Sequence, residues 1–271
     1  MRFSRHAQLL FLATLTLVGC EESVRQKITV TGSSTIAPLV AEIAKRYESE
    51  HPGIRIDVQT GGSSRGINDP VKGLADIGMS SRALKESEID GRVTHLLARD
   101  GVGFIIHASN PVEELSDEQI LGIFTGTLND WEEVGGVAGE ITSANRADGR
   151  SELELIMEFY DLKRADFQVD LISGENQHAI KTVAGDPNAI TYLSIGASEF
   201  DIENGVPIKL LPLRGVAASS ETVASGQFPL GRPLLLVTAP EPAPHIAAFI
   251  EFARSSEVHD LVKQQSYVPV Q

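Results

Sequence analysis

The 271-residue chain has a single cysteine, so no disulfide can form within it. Basic side chains are scarce: 23 lysines and arginines stand against 37 aspartates and glutamates, a formal net charge of −14. That balance excludes a general nucleic-acid binder and a protein held on an anionic membrane by charge, because nothing would displace counterions from a phosphate surface. The seven histidines include no H-x-x-x-H pair, so spacing offers no metal site, and neither a metal nor a cofactor is expected. No apolar run reaches the ~20 residues of a spanning helix, and there are no repeats and no low-complexity tract. What remains, 42% hydrophobic and 22% charged residues, is the profile of a soluble globular protein of one large domain or two moderate ones.

The N-terminus differs from the rest. Arg2 and Arg5 precede the apolar run Leu9 to Val18, which ends at Gly19-Cys20 and is followed at once by Glu21-Glu22. This pattern reads as a secretory signal over residues 1–19. The sequence Leu17-Val18-Gly19-Cys20 resembles the lipobox of bacterial lipoproteins, in which the cysteine is lipidated and becomes the mature N-terminus. The expectation is an extracytoplasmic protein, periplasmic or on the cell surface, tied to a membrane through Cys20 by a short polar tether over residues 20–26. Loss of Arg2 and Arg5 would leave 21 basic against 37 acidic side chains, a net charge of −16.

From residue 27 the chain alternates. Lys27 to Val30 reads as a strand, and Ile36, Leu39, Val40, Ile43, Ala44 and Tyr47 recur at helical spacing until His51-Pro52-Gly53. Ile54, Ile56 and Val58 mark a second strand, a glycine-serine turn and short helix follow, and Ala75 to Gly78 is a third strand. Ser116 to Gln119 and Ser151 to Glu154 read as capping boxes that open further helices. Late in the chain come a strand over 233–238, a helix over 245–254 and a final short helix near 257–263. Such alternation predicts an α/β fold with mostly parallel sheets flanked by helices.

Four loops share one design, a strand end followed by a serine- or glycine-rich turn and a helix: residues 31–35, 61–66, 78–82 and 145–151. In open α/β sheets such loops meet outside the carboxyl ends of the strands, where ligands bind. Helix N-termini there offer free N–H groups, glycines let a ligand approach, and hydroxyls add donors, so together they describe a cradle for a small oxyanion. Three of the loops also carry arginine, Arg65, Arg82 and the pair Arg146 and Arg150, in a chain where cations are few. Taken singly, each serine suits a helix cap and each arginine a surface ion pair.

Gly32-Ser33-Ser34-Thr35, Gly61-Gly62-Ser63-Ser64-Arg65-Gly66-Ile67, Ala75-Asp76-Ile77-Gly78, Ile123-Phe124-Thr125-Gly126, Asn129-Asp130-Trp131 and Arg146-Ala147-Asp148-Gly149 carry a resemblance. So do Ala189 to Ser194 and Pro229 to Leu234. In order and spacing these segments resemble the phosphate-binding proteins of bacterial phosphate ABC transporters, over nearly the whole mature chain. The resemblance implies a two-lobed, hinged, periplasmic-binding-protein-like α/β fold that captures phosphate or a related oxyanion in its cleft and passes it to a membrane permease. It implies no chemistry on the ligand, and a monomer is expected. The lobes would be residues 27–105 with 228–271, and residues 106–227.

Carried over by position, Ser34 and Thr35 match the family's first phosphate loop, Ser63 the second, and Arg146 and Asp148 the arginine with its orienting acid. Ser81, Arg150 and Ser151 complete the expected set of ligand residues. Where the family commonly has Ser-Gly-Thr after the arginine loop, this chain has Arg150, Ser151 and Glu152. A carboxylate beside a bound anion costs ~1 to 4 kcal/mol at ~4 Å, depending on dielectric. Two readings follow. Ser151 caps the helix and Glu152 takes the ligand's place at its N-terminus, or Arg150 enters the cleft and neutralises Glu152 or grips the anion. Ser81 stands where one branch of the family has an aspartate that accepts the proton of phosphate, which leaves selectivity over sulfate open. A second function is therefore carried along: an envelope sensor or interaction module without tight phosphate binding.

Two other patterns weigh little. Gly62-Ser63-Ser64-Arg65-Gly66 matches G-x-S-x-G, with Ser64 in the nucleophile's place, but His95, His107, His178, His245 and His259 stand in no context that singles one out as its partner. An enzyme is not expected. Trp131, near Phe124 in sequence, is expected in a core, with the cleft as the alternative.

Overall fold

The computed structural model describes residues 26–270; the expected secretory signal, Cys20 and nearly all of the expected tether lie outside the described residues. The expected β-α-β-α-β opening is β1 (Gln26–Gly32), α1 (Ala37–Glu50), β2 (Ile54–Thr60), α2 (Ser63–Asn68) and β3 (Ile77–Ser80). Fifteen-residue β4 (Val93–His107) leads into α3 (Asp117–Phe124), β5 (Thr142–Arg146), α4 (Ser151–Phe159), β6 (Leu171–Ser173) and α5 (Asn176–Gly185). Then come β7 (Ala189–Ser194), α6 (Ile195–Glu203), β8 (Ile208–Leu210) and α7 (Ser220–Ala224). The chain returns through β9 (Gly231–Thr238), α8 (Pro244–Ala253), α9 (His259–Gln264) and β10 (Val268–Pro269).

Local chemistry sets most of these boundaries. Helix α1 buries the expected stripe of Leu39, Val40, Ile43, Ala44 and Tyr47, with proline in its first turn where the missing N–H costs nothing. The Ser116 capping box forms: Ser116 Oγ accepts from Gln119 N at 3.2 Å, and Gln119 Oε1 accepts from Ser116 N at 2.9 Å. The expected box at Ser151 does not form. Arg150 holds the cap position without a side-chain bond, Ser151 is the first helical residue, and its hydroxyl is engaged across the molecule instead.

Sheet order is β2-β1-β3-β9-β4-β7-β5-β6, with β8 and β10 added on β4. The pairs β1–β2, β1–β3, β5–β6 and β5–β7 are parallel. Those joining β3 to β9, and β4 to β7, β8, β9 and β10, are antiparallel. The sheet is thus mixed rather than mostly parallel. Strand-helix alternation foretells parallel neighbours within each half, but the chain passes between halves on β4 and comes back on β9, and two adjacent strands running out and back pair antiparallel.

Two main cores flank this crossing. Ile28, Val30, Leu39, Met79, Leu236 and Phe249 belong to the first, and Ile123, Trp131, Ile156 and Ile190 to the second. In the second, Phe104, Phe124 and Tyr192 pack with ring centroids 5.3 to 5.9 Å apart in tilted and edge-on geometry. Trp131 is buried there and donates Nε1–H to Asn188 O at 2.9 Å, so it builds a core. Strand β4 gives Leu97 and Ala98 to the first core and Val102, Phe104 and Ile106 to the second; on the return Leu230 lies in the second and Leu234 in the first. The chain therefore changes core between residues 98 and 102 and again between 230 and 234. Apolar alternation alone does not locate that change, since the strand pattern continues through it.

Candidate functional site

The loops after β1, β2 and β3 and the loop into α4 meet at the seam between the halves. Two glycines make the approach possible. Gly32 has φ +134°, and a Cβ there would lie 2.3 Å from Met79 O; Gly62 has φ +91°, and a Cβ would lie 2.6 Å from Gly149 O of the other half. Ser64 N donates to the same Gly149 O at 3.3 Å.

A buried cluster of hydroxyls occupies the meeting point. Ser81 Oγ lies 2.9 Å from Ser33 Oγ, 3.3 Å from Ser63 Oγ and 2.7 Å from Ser151 Oγ. Ser63 Oγ also accepts from Ser81 N at 3.0 Å. Ser33, Ser63 and Ser81 come from the first half and Ser151 from the second, and all four are buried.

Beside the hydroxyls stands Glu152, also buried. Its Oε1 accepts from Thr35 Oγ1 at 3.0 Å and from Arg232 Nη1 at 2.9 Å; the same Nη1 reaches Ser151 Oγ at 3.0 Å. Arg232 also donates to Asp100 Oδ2 through Nε at 3.0 Å and Nη2 at 2.8 Å, so one guanidinium serves two carboxylates. Asp100 Oδ1 in turn accepts from Gly196 N at 3.1 Å. Burial acts to raise the Glu152 pKa, but the charges of Arg232 and Arg146 outweigh it and hold the carboxyl down to about 2. Likewise burial opposes the charge on Arg232, and Glu152 and Asp100 overcome it and raise its pKa.

Arg146 is fully buried at the end of β5. Its Nη1 donates to Ser173 Oγ at 3.2 Å and Glu175 O at 3.4 Å, and its Nη2 to Gly174 O at 3.3 Å and Asn176 Oδ1 at 2.8 Å. Asn176 passes the connection on, donating Nδ2–H to Thr35 Oγ1 at 3.2 Å. Burial lowers the Arg146 pKa, and the Glu152 carboxylate opposes that shift. Asp148, the expected orienting acid, is elsewhere: it is exposed and pairs with Arg164 at 2.8 Å. The loop turns at Gly149, φ +80°, and sends Asp148 outward, leaving Glu152 as the carboxylate that faces Arg146.

Arg150 reaches between the halves. Its Nη2 donates to Glu175 Oε1 at 2.8 Å and its Nη1 lies 3.5 Å from Ser34 Oγ, so it neutralises Glu175 rather than Glu152. Glu152 lies in the first turn of α4 with Arg150, not Ser151, at the cap position, and Arg150 extends to Ser34 at the cleft. Arg65 pairs with Asp69 at 2.8 Å, and Arg82 with Glu88 at 2.7 and 2.9 Å. Arg82 Nε and Lys85 Nζ lie 3.0 and 2.6 Å from Glu154 Oε2 of the opposite half, and Ser64 Oγ donates to Glu154 Oε1 at 3.2 Å. Among the described residues no hydrogen bond joins Ser64 to a histidine; His95 is bonded to Thr238 and His107 to Ser109.

Of the residues expected from the sequence, the structure brings Ser34, Thr35, Ser63, Ser81, Arg146, Arg150 and Ser151 to one seam and leaves Asp148 apart from it. Sequence reasoning missed Arg232, Asp100 and Asn176. A signal for Arg232 existed: an arginine in the apolar strand Leu230 to Val237 is rarely buried without a paired carboxylate. A cleft of about 430 Å³ lined by residues including Ser34, Thr35, Glu175, Asn176, Gln177 and Tyr267 opens beside the network. Among the described residues no group of three or more histidines, cysteines, aspartates or glutamates is arranged to hold a metal ion, and no helix is long and apolar enough to cross a membrane.

An α/β sheet curled around a polar seam, with donors supplied from two cores, is the architecture of the periplasmic-binding-protein class. Residues 20–257 match the model of the PBP superfamily domain, and the chain belongs to that family. It is 29% identical over 254 residues to the phosphate-binding protein PstS of Bacillus subtilis, covering 92% of this chain and 83% of that one. Its fold is similar to that of a Clostridium perfringens protein described as a phosphate ABC transporter substrate-binding protein and crystallised with bound phosphate (TM-score 0.84, 29% identity, 91% of this chain and 100% of that one). It is similar also to an ABC-type phosphate transport receptor from Vibrio cholerae (TM-score 0.73, 28% identity, 90% and 100%).

Proposed function

We propose that this chain is an extracytoplasmic solute-binding protein that captures inorganic phosphate, or a related oxyanion, at the seam and delivers it to an ABC transporter permease, without acting on it as an enzyme. One observation carries the reading: buried hydroxyls from both halves, Ser33, Ser63 and Ser81 from one and Ser151 from the other, meet at Ser81 Oγ, and the buried Arg146 guanidinium is linked through Asn176 to Thr35 beside them. Hydrogen bonds to a charged acceptor in so dry a place are roughly twice as strong as neutral ones. The names of its relatives support the same ligand. In this reading Cys20 carries the lipid, the protein works as a monomer, and the segments near residues 98–102 and 230–234 let the halves close on the anion.

Glu152 favours a second reading, an envelope sensor or interaction module without tight phosphate binding, because its carboxylate already receives donors that an anion would need. Thermal unfolding of the chain from Ser23 onward, in phosphate, in sulfate and without added anion at matched ionic strength, separates the two. A ligand at ~100 times its dissociation constant stabilises by ~2.7 kcal/mol, a rise of several degrees for a chain of this size. A rise with phosphate alone is the expected result; no rise with either anion would leave only the second reading.

A further inference from the structure

Glu152 and Glu154 leave the first turn of α4, a helix packed on the second core through Ile156, Leu155 and Phe159, and both make their ionic contacts with residues outside that core. Glu152 is bound by Thr35 of the first half and by Arg232 where the returning chain crosses, and it offsets the charge of Arg146, which among the described residues has no carboxylate within ion-pair distance. Charges around it balance in sum: Arg232 and Arg146 stand against Asp100 and Glu152, Arg150 against Glu175, and Arg82 and Lys85 against Glu88 and Glu154. An added oxyanion would therefore bring unmatched negative charge into a buried, neutral network.

We propose that Glu152 is an internal counter-anion: its carboxylate stands where an oxyanion would be held and joins the two halves, so an external anion binds by exchanging with it. The inference rests on the oxyanion reading above for the identity of the ligand, but not for the joining of the halves. Four neighbouring donors would remain for the incoming anion once the carboxylate withdraws: Thr35 Oγ1, Arg232 Nη1, Ser151 Oγ and Ser81 Oγ. The adjoining cleft reaches Thr35 and Asn176, so an anion entering it meets the bridge between Arg146 and Glu152 first. Glu152 thereby sets both how tightly an oxyanion binds and how much conformational change binding produces.

The test compares the chain from Ser23 onward with Glu152→Thr and Glu152→Gln, by calorimetric titration with inorganic phosphate and by small-angle scattering with and without phosphate. Glu152→Gln keeps the shape and a hydrogen-bonding oxygen, so a cooperative melt from it guards against reading a folding defect as a binding effect. Expected are phosphate affinities at least about tenfold tighter in both variants than in the parent, following from removal of a like charge at close range. Glu152→Thr should also be more expanded than the parent without phosphate and should compact on adding it. Parent affinity equal to or tighter than that of the variants would overturn the inference and leave phosphate capture standing. Expansion of Glu152→Thr with no phosphate binding in any form would support the internal counter-anion and refute phosphate as ligand. No binding and no expansion would overturn both.

Discussion

Glu152 and Glu154 lie two residues apart on one helix, yet they hold the seam in different ways. Glu152 is in the inner layer, with Arg232 and Asp100 essentially out of solvent. Glu154 is in the outer layer, where Arg82 is buried but Lys85 is 60% exposed. The inner layer is shielded from salt and each charge in it is lost to water, so its stability depends on every partner being present. The outer layer keeps partial solvation and is screened, so the loss of one partner is partly repaired by water and ions. Position relative to the seam, more than residue type, decides what each ion pair contributes.

Arg232→Ala should break this contrast most sharply, because it leaves Asp100 and Glu152 buried without their shared cation. A loss of ~3 to 5 kcal/mol is expected, lowering the melting temperature by about 10 °C, and high salt should recover little of it. A loss under ~1 kcal/mol in thermal or urea unfolding would show that water enters the inner layer. Arg82→Ala should cost less, ~1 to 3 kcal/mol, and the cost should shrink as salt is raised from low ionic strength to about 0.5 M. An equal cost at all salt concentrations would place Arg82 with the inner layer.

Acid should act on both layers. Hydrogen bonds from Arg82 hold the Glu88 carboxyl at about 2 against its burial, and Arg232 and Arg146 hold Glu152 at about 2 against a stronger burial effect. The folded chain therefore binds fewer protons than the unfolded one below the ordinary glutamate value of 4.5. Stability from these groups is complete above about pH 5 and falls as the pH drops toward 2, which a series of melts across that range would record. In Arg82→Ala the Glu88 part of this acid sensitivity should shrink to what the Lys85 backbone bond and charge still hold. The smallest effect is expected from Asp148→Asn, whose exposed pair with Arg164 should be worth less than ~0.5 kcal/mol. A large loss of phosphate affinity in Asp148→Asn would restore the orienting role that the sequence suggested for it.

Much of the architecture was legible before any coordinates. The stripe from Leu39 to Tyr47, the capping box at Ser116 and the strand-turn-helix loops all depend on neighbours within a few residues, and local periodicity and turn chemistry specify such features directly. The antiparallel pairing of β4 with β9 was not legible, since it depends on partners 130 to 145 residues apart. The same holds for the site. Thr35, Ser63, Ser81 and Arg146 announced themselves through the loops that carry them, whereas Arg232 sits in a strand whose pattern looks like any core strand. That Asp148 faces solvent and pairs with Arg164 was not legible either, because its distance from Arg146 in sequence says nothing about which way the loop turns at Gly149.

By itself, then, the sequence determined the α/β class, the acidic character of the chain, the four loops and the presence of a carboxylate at position 152 in the first turn of a helix. Only the tertiary structure decided that this carboxylate is buried, that Arg232 and Thr35 bind it, and that Arg146 relies on it for charge balance. The physical reason is that a side chain's charge is written in the sequence, while its cost or benefit depends on solvation and on partners that only folding brings within 3 Å.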